Sequence, residues 1–161
     1  MRPDDRPLEE RIADFCIRQN LTISTAESCT GGLIAARLIN APGISAVYKE
    51  GFVTYSNEAK TKRLGVPEAT LARFGAVSPQ TAMLMAEGCA RAAETVCSIC
   101  STGIAGPDGG TPEKPVGLVY LAVRIDPEVT VREYRFDGSR EEIRQAAAKE
   151  ALALFWEMLH Q

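Results

Sequence analysis

The chain has 161 residues, with 18 lysines and arginines against 21 aspartates and glutamates, five cysteines and a single histidine at position 160. That length fits one domain spanning 1–161, and a composition 45% hydrophobic and 24% charged excludes the disordered class. A net charge of −3 argues against bulk nucleic-acid binding, and one histidine near a terminus leaves neither a His-rich metal site nor a usual histidine triad.

No run of eighteen apolar residues occurs, and Met1 to Glu10 is charged and lacks a signal-peptide core. The expectation is a cytoplasmic protein with no membrane association, whose odd number of cysteines stays reduced.

Leu8, Ile12, Phe15 and Cys16 share one face of a helix expected from Pro7 to Gln19, with Asn20 closing it. Leu21 to Ala26 reads as a short strand. The small-residue turn Glu27-Ser28-Cys29-Thr30-Gly31-Gly32 leads into a second helix, stopped by Asn40-Ala41-Pro42-Gly43. Val47 to Ser56 is strand-like, with Gly51 as a candidate bulge. Asn57 is expected to cap a short helix, Glu58 to Leu64, that Gly65 ends. No element is assigned between Gly65 and Ser78. Ser78-Pro79 opens a helix running to about Ala93, and Val96 to Thr102 has the look of a buried strand. Gly103 to Pro115 is irregular, with four glycines and three prolines. Gly117 to Arg124 and Val129 to Phe136 form a hairpin over Asp126-Pro127-Glu128, and a capping box at Ser139 and Glu142 starts the last helix. Helices alternating with strands before a late hairpin indicate an α/β layered domain, a mixed sheet flanked by helices in three layers.

Three stretches can carry chemistry. Ser28 lies where a strand hands over to a helix, with Gly31 and Gly32 clearing the approach to backbone N–H groups that can hold an anion. The alternative is a capped helix with tight glycine packing. In the second stretch, Gly51 to Lys60, Tyr55 ends a strand and Lys60 lies on the next helix. With no usable histidine, a lysine is the obvious base for Ser28. Lowering its pKa from about 10.4 to about 7.5 disfavours the charge by about 4 kcal/mol, within reach of desolvation. Lys60, Lys62 and Arg63 on a solvated face is the competing reading. In the third, Ser101 to Gly110, glycines after an apolar strand can cradle a phosphate or a ring, although neither a Walker loop nor a dinucleotide fingerprint is present.

Cys97-Ser98-Ile99-Cys100 places its thiols on opposite strand faces and has no second pair to complete a zinc site. Cys29 beside Ser28 lacks a histidine partner. Arg140 is either a phosphate clamp or a solvated arginine.

The ordered set A-E-S-C-T-G-G, G-F-V-T-Y-S-N-E-A-K, G-A-V-S and T-G-I-A-G-P-D-G-G, with K-P-V-G behind it, closely resembles the CinA C-terminal domain family, from about Leu21 to Leu159. That family includes nicotinamide-nucleotide amidohydrolase. The resemblance implies hydrolysis of the carboxamide of nicotinamide mononucleotide to nicotinate mononucleotide and ammonia, in pyridine nucleotide recycling. It implies Ser28 as nucleophile, Lys60 as base and Tyr55 as its partner. Thr30, Gly31 and Gly32 would bind the oxyanion, and Thr102, Gly103, Ala105, Gly106 and Arg140 would line the substrate pocket. No metal or cofactor is implied, and a homodimer is the family-level expectation. Where many relatives read Gly-Asp-Arg, this chain has Gly138-Ser139-Arg140, with a capping serine in place of the acid. The molybdopterin-binding-like domain of many relatives is not in this sequence. A rival reading from another class is a catalytically idle nucleotide-binding or sensing module. Penicillin-recognising enzymes are disfavoured because Gly31, not Lys, follows Ser28 by three. Short-chain dehydrogenases are disfavoured because Tyr55 and Lys60 are five apart.

Overall fold

The computed structural model describes residues 4–161. In chain order the elements are α1 (Leu8–Gln19), β1 (Ile23–Glu27), α2 (Leu33–Leu38), a single 3₁₀ turn (Ile44–Ala46), β2 (Tyr48–Val53), α3 (Asn57–Leu64), α4 (Glu68–Phe74), α5 (Pro79–Ala93), β3 (Cys97–Gly103), β4 (Leu118–Ile125), β5 (Glu128–Arg135) and α6 (Arg140–Leu159). The five strands form one sheet in the order β2-β1-β3-β4-β5. β2, β1 and β3 run parallel, and β4 and β5 are antiparallel additions, so the sheet is mixed.

Local chemistry sets most boundaries. Asn20 closes α1 in the left-handed conformation, and Gly65 does the same for α3. Ser78 Oγ accepts from Thr81 N at 3.1 Å above a first-turn proline, and Ser139 and Glu142 make a reciprocal capping box. The cap of α3 is Ser56 rather than Asn57, because Ser56 Oγ takes the Ala59 N–H at 3.0 Å. The irregularity in β2 falls at Lys49, not Gly51: Ile23 pairs with Tyr48 and Ser24 with Glu50. Gly51 serves close approach instead, since a Cβ there would collide with the Tyr48 hydroxyl, which shares a 2.6 Å hydrogen bond with Thr25 Oγ1. Helix α4, to which the sequence pattern assigns no element, is a seven-residue segment with one buried side chain, Leu71, too short to display a period.

Strand parity divides the core. Ile23, Cys97, Ile99, Val119, Leu121 and Val123 meet α1, α2 and α6 on one face. Ala26, Cys100 and Ala122 meet α3, α4 and α5 on the other. Cys97 and Cys100 thus lie on opposite faces, and all five thiols are free and buried. The second face is built of small side chains, which lets α5 lie close to the sheet. Three of its buried hydroxyls are paired: Ser98 Oγ donates to Ala86 O at 2.7 Å, and Ser24 and Thr95 share a 2.7 Å bond. All five residues of β1 are buried, because β1 is interior to the sheet and covered on both sides.

Candidate active site

Three parallel strands end together, and the chain segments leaving them converge on one crevice, the usual place for a site in an α/β sheet. Ser28 follows β1, Thr54 and Tyr55 follow β2, and Thr102 and Gly103 end β3. Two bonds prolong the ladder beyond the strands: Ser28 N donates to Ser101 O at 3.0 Å, and Thr54 N to Glu27 O at 3.0 Å. The resulting cleft has a volume of about 260 Å³. Ser28, Tyr55 and Lys60 line it, as do Thr102, Gly103, Ala105, Gly106 and Arg140. Cys29, Ala76, Val77 and Asp108, which the sequence reading did not assign to it, line it too.

Lys60 is 1% exposed. Its position on the first turn of α3 carries its ammonium under the end of β2, where it has three partners: Ser28 Oγ at 3.0 Å, Thr54 O at 2.8 Å and Tyr55 O at 3.4 Å. Burial pushes the Lys60 pKa below the ordinary lysine value, because no carboxylate pairs with the charge; the nearby Cys29 thiol opposes this weakly. Burial also raises the Cys29 thiol to about 11, so that thiol stays protonated at neutral pH.

The phenol of Tyr55 points elsewhere. The side chain is 60% exposed, and its hydroxyl accepts from Arg140 Nη2 at 2.7 Å. Arg140 Nη1 donates to Gly106 O at 2.7 Å. Tyr55 therefore meets Lys60 through its carbonyl only, while its ring, Arg140 and the Gly103–Pro115 loop form a strap across the mouth of the cleft. That loop is tied down by Ile104 N to Leu118 O at 2.9 Å, Gly117 N to Ile104 O at 2.8 Å and Lys114 Nζ to Phe74 O at 2.6 Å.

The expected oxyanion donors are arranged differently from the sequence reading. Thr30 is fully buried, and its hydroxyl bonds Glu27 Oε1 at 2.6 Å and Ser101 Oγ at 2.7 Å. The N–H of Gly31 is committed to Ser28 O at 3.1 Å, and Gly32 is the left-handed residue that opens α2. Thr30, Gly31 and Gly32 do not line the cleft. The first amide of α2, Leu33 N, donates to Thr30 O at 3.1 Å, and the next two are taken by the buried Glu27 carboxylate, Ile34 N at 2.8 Å and Ala35 N at 3.1 Å. An acid just before a serine at a helix entry was the available signal for this contact. Arg144 also went unnoticed in the sequence, since only the fold brings α6 against the turn; it donates to Cys29 O and Thr30 O, both at 3.0 Å.

Residues 5–159 match the CinA C-terminal domain family. A relative from Clostridium kluyveri named as a competence-damage inducible protein is 56% identical over 149 residues, 92% of this chain and 36% of that protein. A CinA-like protein from Kosmotoga olearia is 52% identical over 148 residues, again 92% of this chain and 36% of that protein. The chain thus spans about a third of the length of these curated relatives. Among solved structures, the competence/damage inducible protein CihA from Agrobacterium tumefaciens superposes with a TM-score of 0.91 at 48% identity, covering 96% of this chain and 94% of that one. A competence-damaged protein (CinA) superfamily protein from Escherichia coli superposes with a TM-score of 0.92 at 34% identity, over 98% and 94% of the two chains.

Proposed function

The chain belongs to the CinA C-terminal domain family, and on that premise we propose that it is a serine amidohydrolase that converts the carboxamide of nicotinamide mononucleotide to the carboxylate and ammonia. The observation that carries this reading is the 3.0 Å contact between Lys60 Nζ and Ser28 Oγ in a site that strips the lysine of water and gives it no carboxylate. A nucleotide-binding module has no use for a lysine held in that way. The substrate class follows from the family resemblance, and the arginine at the mouth of the cleft offers a partner for the phosphate.

Neutral Lys60 accepts the Ser28 proton as Oγ bonds to the amide carbon and the carbonyl electron pair moves to oxygen. The tetrahedral intermediate collapses, the C–N bond breaks, and the Lys60 ammonium returns the proton to the departing nitrogen as ammonia. Water then attacks the acyl-enzyme, with Lys60 again the base, and the carboxylate product leaves while Ser28 recovers its proton. No step calls on the phenol of Tyr55, which distinguishes this scheme from a Ser-Tyr-Lys relay.

Ammonia release from a panel of pyridine amides, with and without ribose phosphate, tests the proposal. Turnover of nicotinamide mononucleotide that disappears in Ser28→Ala is the expected result. Ser28→Ala with wild-type turnover overturns it.

A further inference from the structure

One wall of the cleft carries a charge to which the reaction scheme assigns no role. Asp108 is the one carboxylate among the described residues that line the cleft, and it is exposed. No arginine or lysine pairs with it among the described residues. Arg140, in the same lining, gives Nη1 to Gly106 O and Nη2 to the Tyr55 hydroxyl instead. Lys60, the other cationic side chain there, is buried and pushed toward its neutral form. The fixed charges of the cleft are therefore an anion at Asp108 and a cation at Arg140.

The loop holds Asp108 in place. Gly106 and Gly110 close around Val116: an added Cβ would lie 2.5 Å from Val116 Cγ1 at Gly106 and 2.8 Å from Val116 N at Gly110. Thr111 N donates to Lys114 O at 2.8 Å and Lys114 N to Thr111 Oγ1 at 3.0 Å, so the far end of the loop is a closed turn. Asp108 sits between the two glycines, just beyond the carbonyl that Arg140 grips. A carboxylate fixed at a cleft wall by backbone packing, with no protein cation paired to it, favours a ligand that brings positive charge.

The reaction scheme sets the substrate carbonyl at Ser28 Oγ. A carboxamide is bonded directly to its ring, so the ring then lies inside a cleft of about 260 Å³. In nicotinamide mononucleotide the ring nitrogen is bonded to ribose and the ring is a cation, whereas in free nicotinamide it is neutral. The nucleotide thus presents a positive ring and a negative phosphate to a cleft that holds Asp108 and Arg140. We infer that Asp108 is a specificity residue that recognises the positive charge of an N-ribosylated pyridinium ring and so separates the nucleotide amide from neutral pyridine amides. The inference rests on the amidohydrolase reading above and deepens it.

The test compares Asp108→Asn and Asp108→Glu with the wild type by kcat and KM for ammonia release from nicotinamide mononucleotide. Inhibition constants of nicotinamide, 1-methylnicotinamide and nicotinamide riboside are measured alongside. Nicotinamide has a neutral ring, 1-methylnicotinamide a cationic ring without ribose, and the riboside a cationic ring with ribose. Asp108→Asn removes the charge and keeps the shape. It is expected to weaken both cationic inhibitors and to raise KM for the nucleotide by about tenfold, somewhat above what fully exposed pairs give. Its kcat and the inhibition constant of nicotinamide are expected to stay within about threefold. Asp108→Glu keeps the charge and is expected to fall between the two. The ratio of wild type to Asp108→Asn is expected to shrink from about 0.01 to about 1 M salt, as the screening length falls from about 30 to about 3 Å. Equal losses for nicotinamide and 1-methylnicotinamide, or a ratio indifferent to salt, overturn the inference in favour of a structural role. A loss confined to the ribosylated ligands overturns it in favour of a contact to the ribose hydroxyls. The two failures separate by turnover. Wild-type protein that releases no ammonia from the nucleotide refutes the amidohydrolase reading and this inference with it, whereas turnover indifferent to Asp108→Asn refutes the ring-charge role alone.

Discussion

Lys60 Nζ lies 3.0 Å from Ser28 Oγ, and its other two partners are the backbone carbonyls of Thr54 and Tyr55. As an ammonium, Nζ donates to all three oxygens; once deprotonated it keeps two N–H bonds for the two carbonyls and turns its lone pair to the serine hydroxyl. The backbone at the end of β2 thus aims the base without any charged partner that would hold its proton. Lys60→Met is expected to lower kcat by at least about 100-fold, the scale of a positioned general base. Lys60→Arg is expected to fare no better, since arginine has no lone pair to offer. Single-turnover ammonia release measures both.

The pH dependence follows from burial. In the proposed scheme acylation needs Lys60 unprotonated, so kcat/KM is expected to rise with pH to an inflection below the ordinary lysine value. Stability carries the same signature. Between the lowered folded pKa and the ordinary unfolded one, the unfolded chain binds the proton that the folded chain has released. Unfolding free energy in that window therefore rises with pH. Urea unfolding across this range is expected to show the wild type gaining on Lys60→Met as pH increases. A flat difference would place the charged lysine in the folded state.

Tyr55→Phe separates the two ends of one residue. The carbonyl that orients Lys60 is kept, while the hydroxyl bond to Arg140 is lost. The expected result is a nearly unchanged kcat with a KM for the phosphorylated substrate raised by about tenfold, the effect of one charge-assisted hydrogen bond. Arg140→Met is expected to raise KM further, because it also releases Gly106 O from the loop. A kcat loss in Tyr55→Phe as deep as that of Lys60→Met would restore the phenol to the proton path.

Cys29 is the other nucleophilic atom in the cleft, and its raised pKa of about 11 leaves it almost wholly protonated at neutral pH. Cys29→Ala is expected to keep kcat within about threefold of wild type, since it leaves the backbone of the turn in place. Mass spectrometry of the acyl-enzyme is expected to find the adduct on Ser28 in both proteins.

Gly88 on α5 packs against the last turn of α3, where an added Cβ would collide with Leu64 O. The obstacle is backbone and cannot swing away. Gly88→Ala is expected to destabilise the fold by about 1–3 kcal/mol, measured by urea unfolding. Because α3 carries Lys60, kcat is expected to fall as well, even where the variant is fully folded.

Features set by neighbouring residues were legible in the sequence. Ser78 and Ser139 announced their helices, Asn20 and Gly65 ended theirs, and the spacing of Cys97 and Cys100 placed them on opposite faces. The lack of any histidine but His160, near the terminus, and the turn after β1 were enough to single out Ser28 and Lys60 as candidates. The register of the caps was less secure, with Ser56 replacing Asn57, because two adjacent polar residues have similar capping chemistry.

What only the tertiary structure decided were relations between residues far apart in the chain. Lys60 and Ser28 are 32 positions apart, Arg140 and Tyr55 85, and Arg144 and Cys29 115. The sequence by itself could place a lysine on a helix, but whether that lysine is solvated or buried depends on what packs over it, and burial is what lowers its pKa. In the same way it could name Tyr55 beside Lys60, but which end of the tyrosine faces the lysine is decided by where β2 ends and where α6 brings Arg140. Local chemistry reaches one helical turn; desolvation and long-range pairing exist only once the sheet has brought its strand ends together.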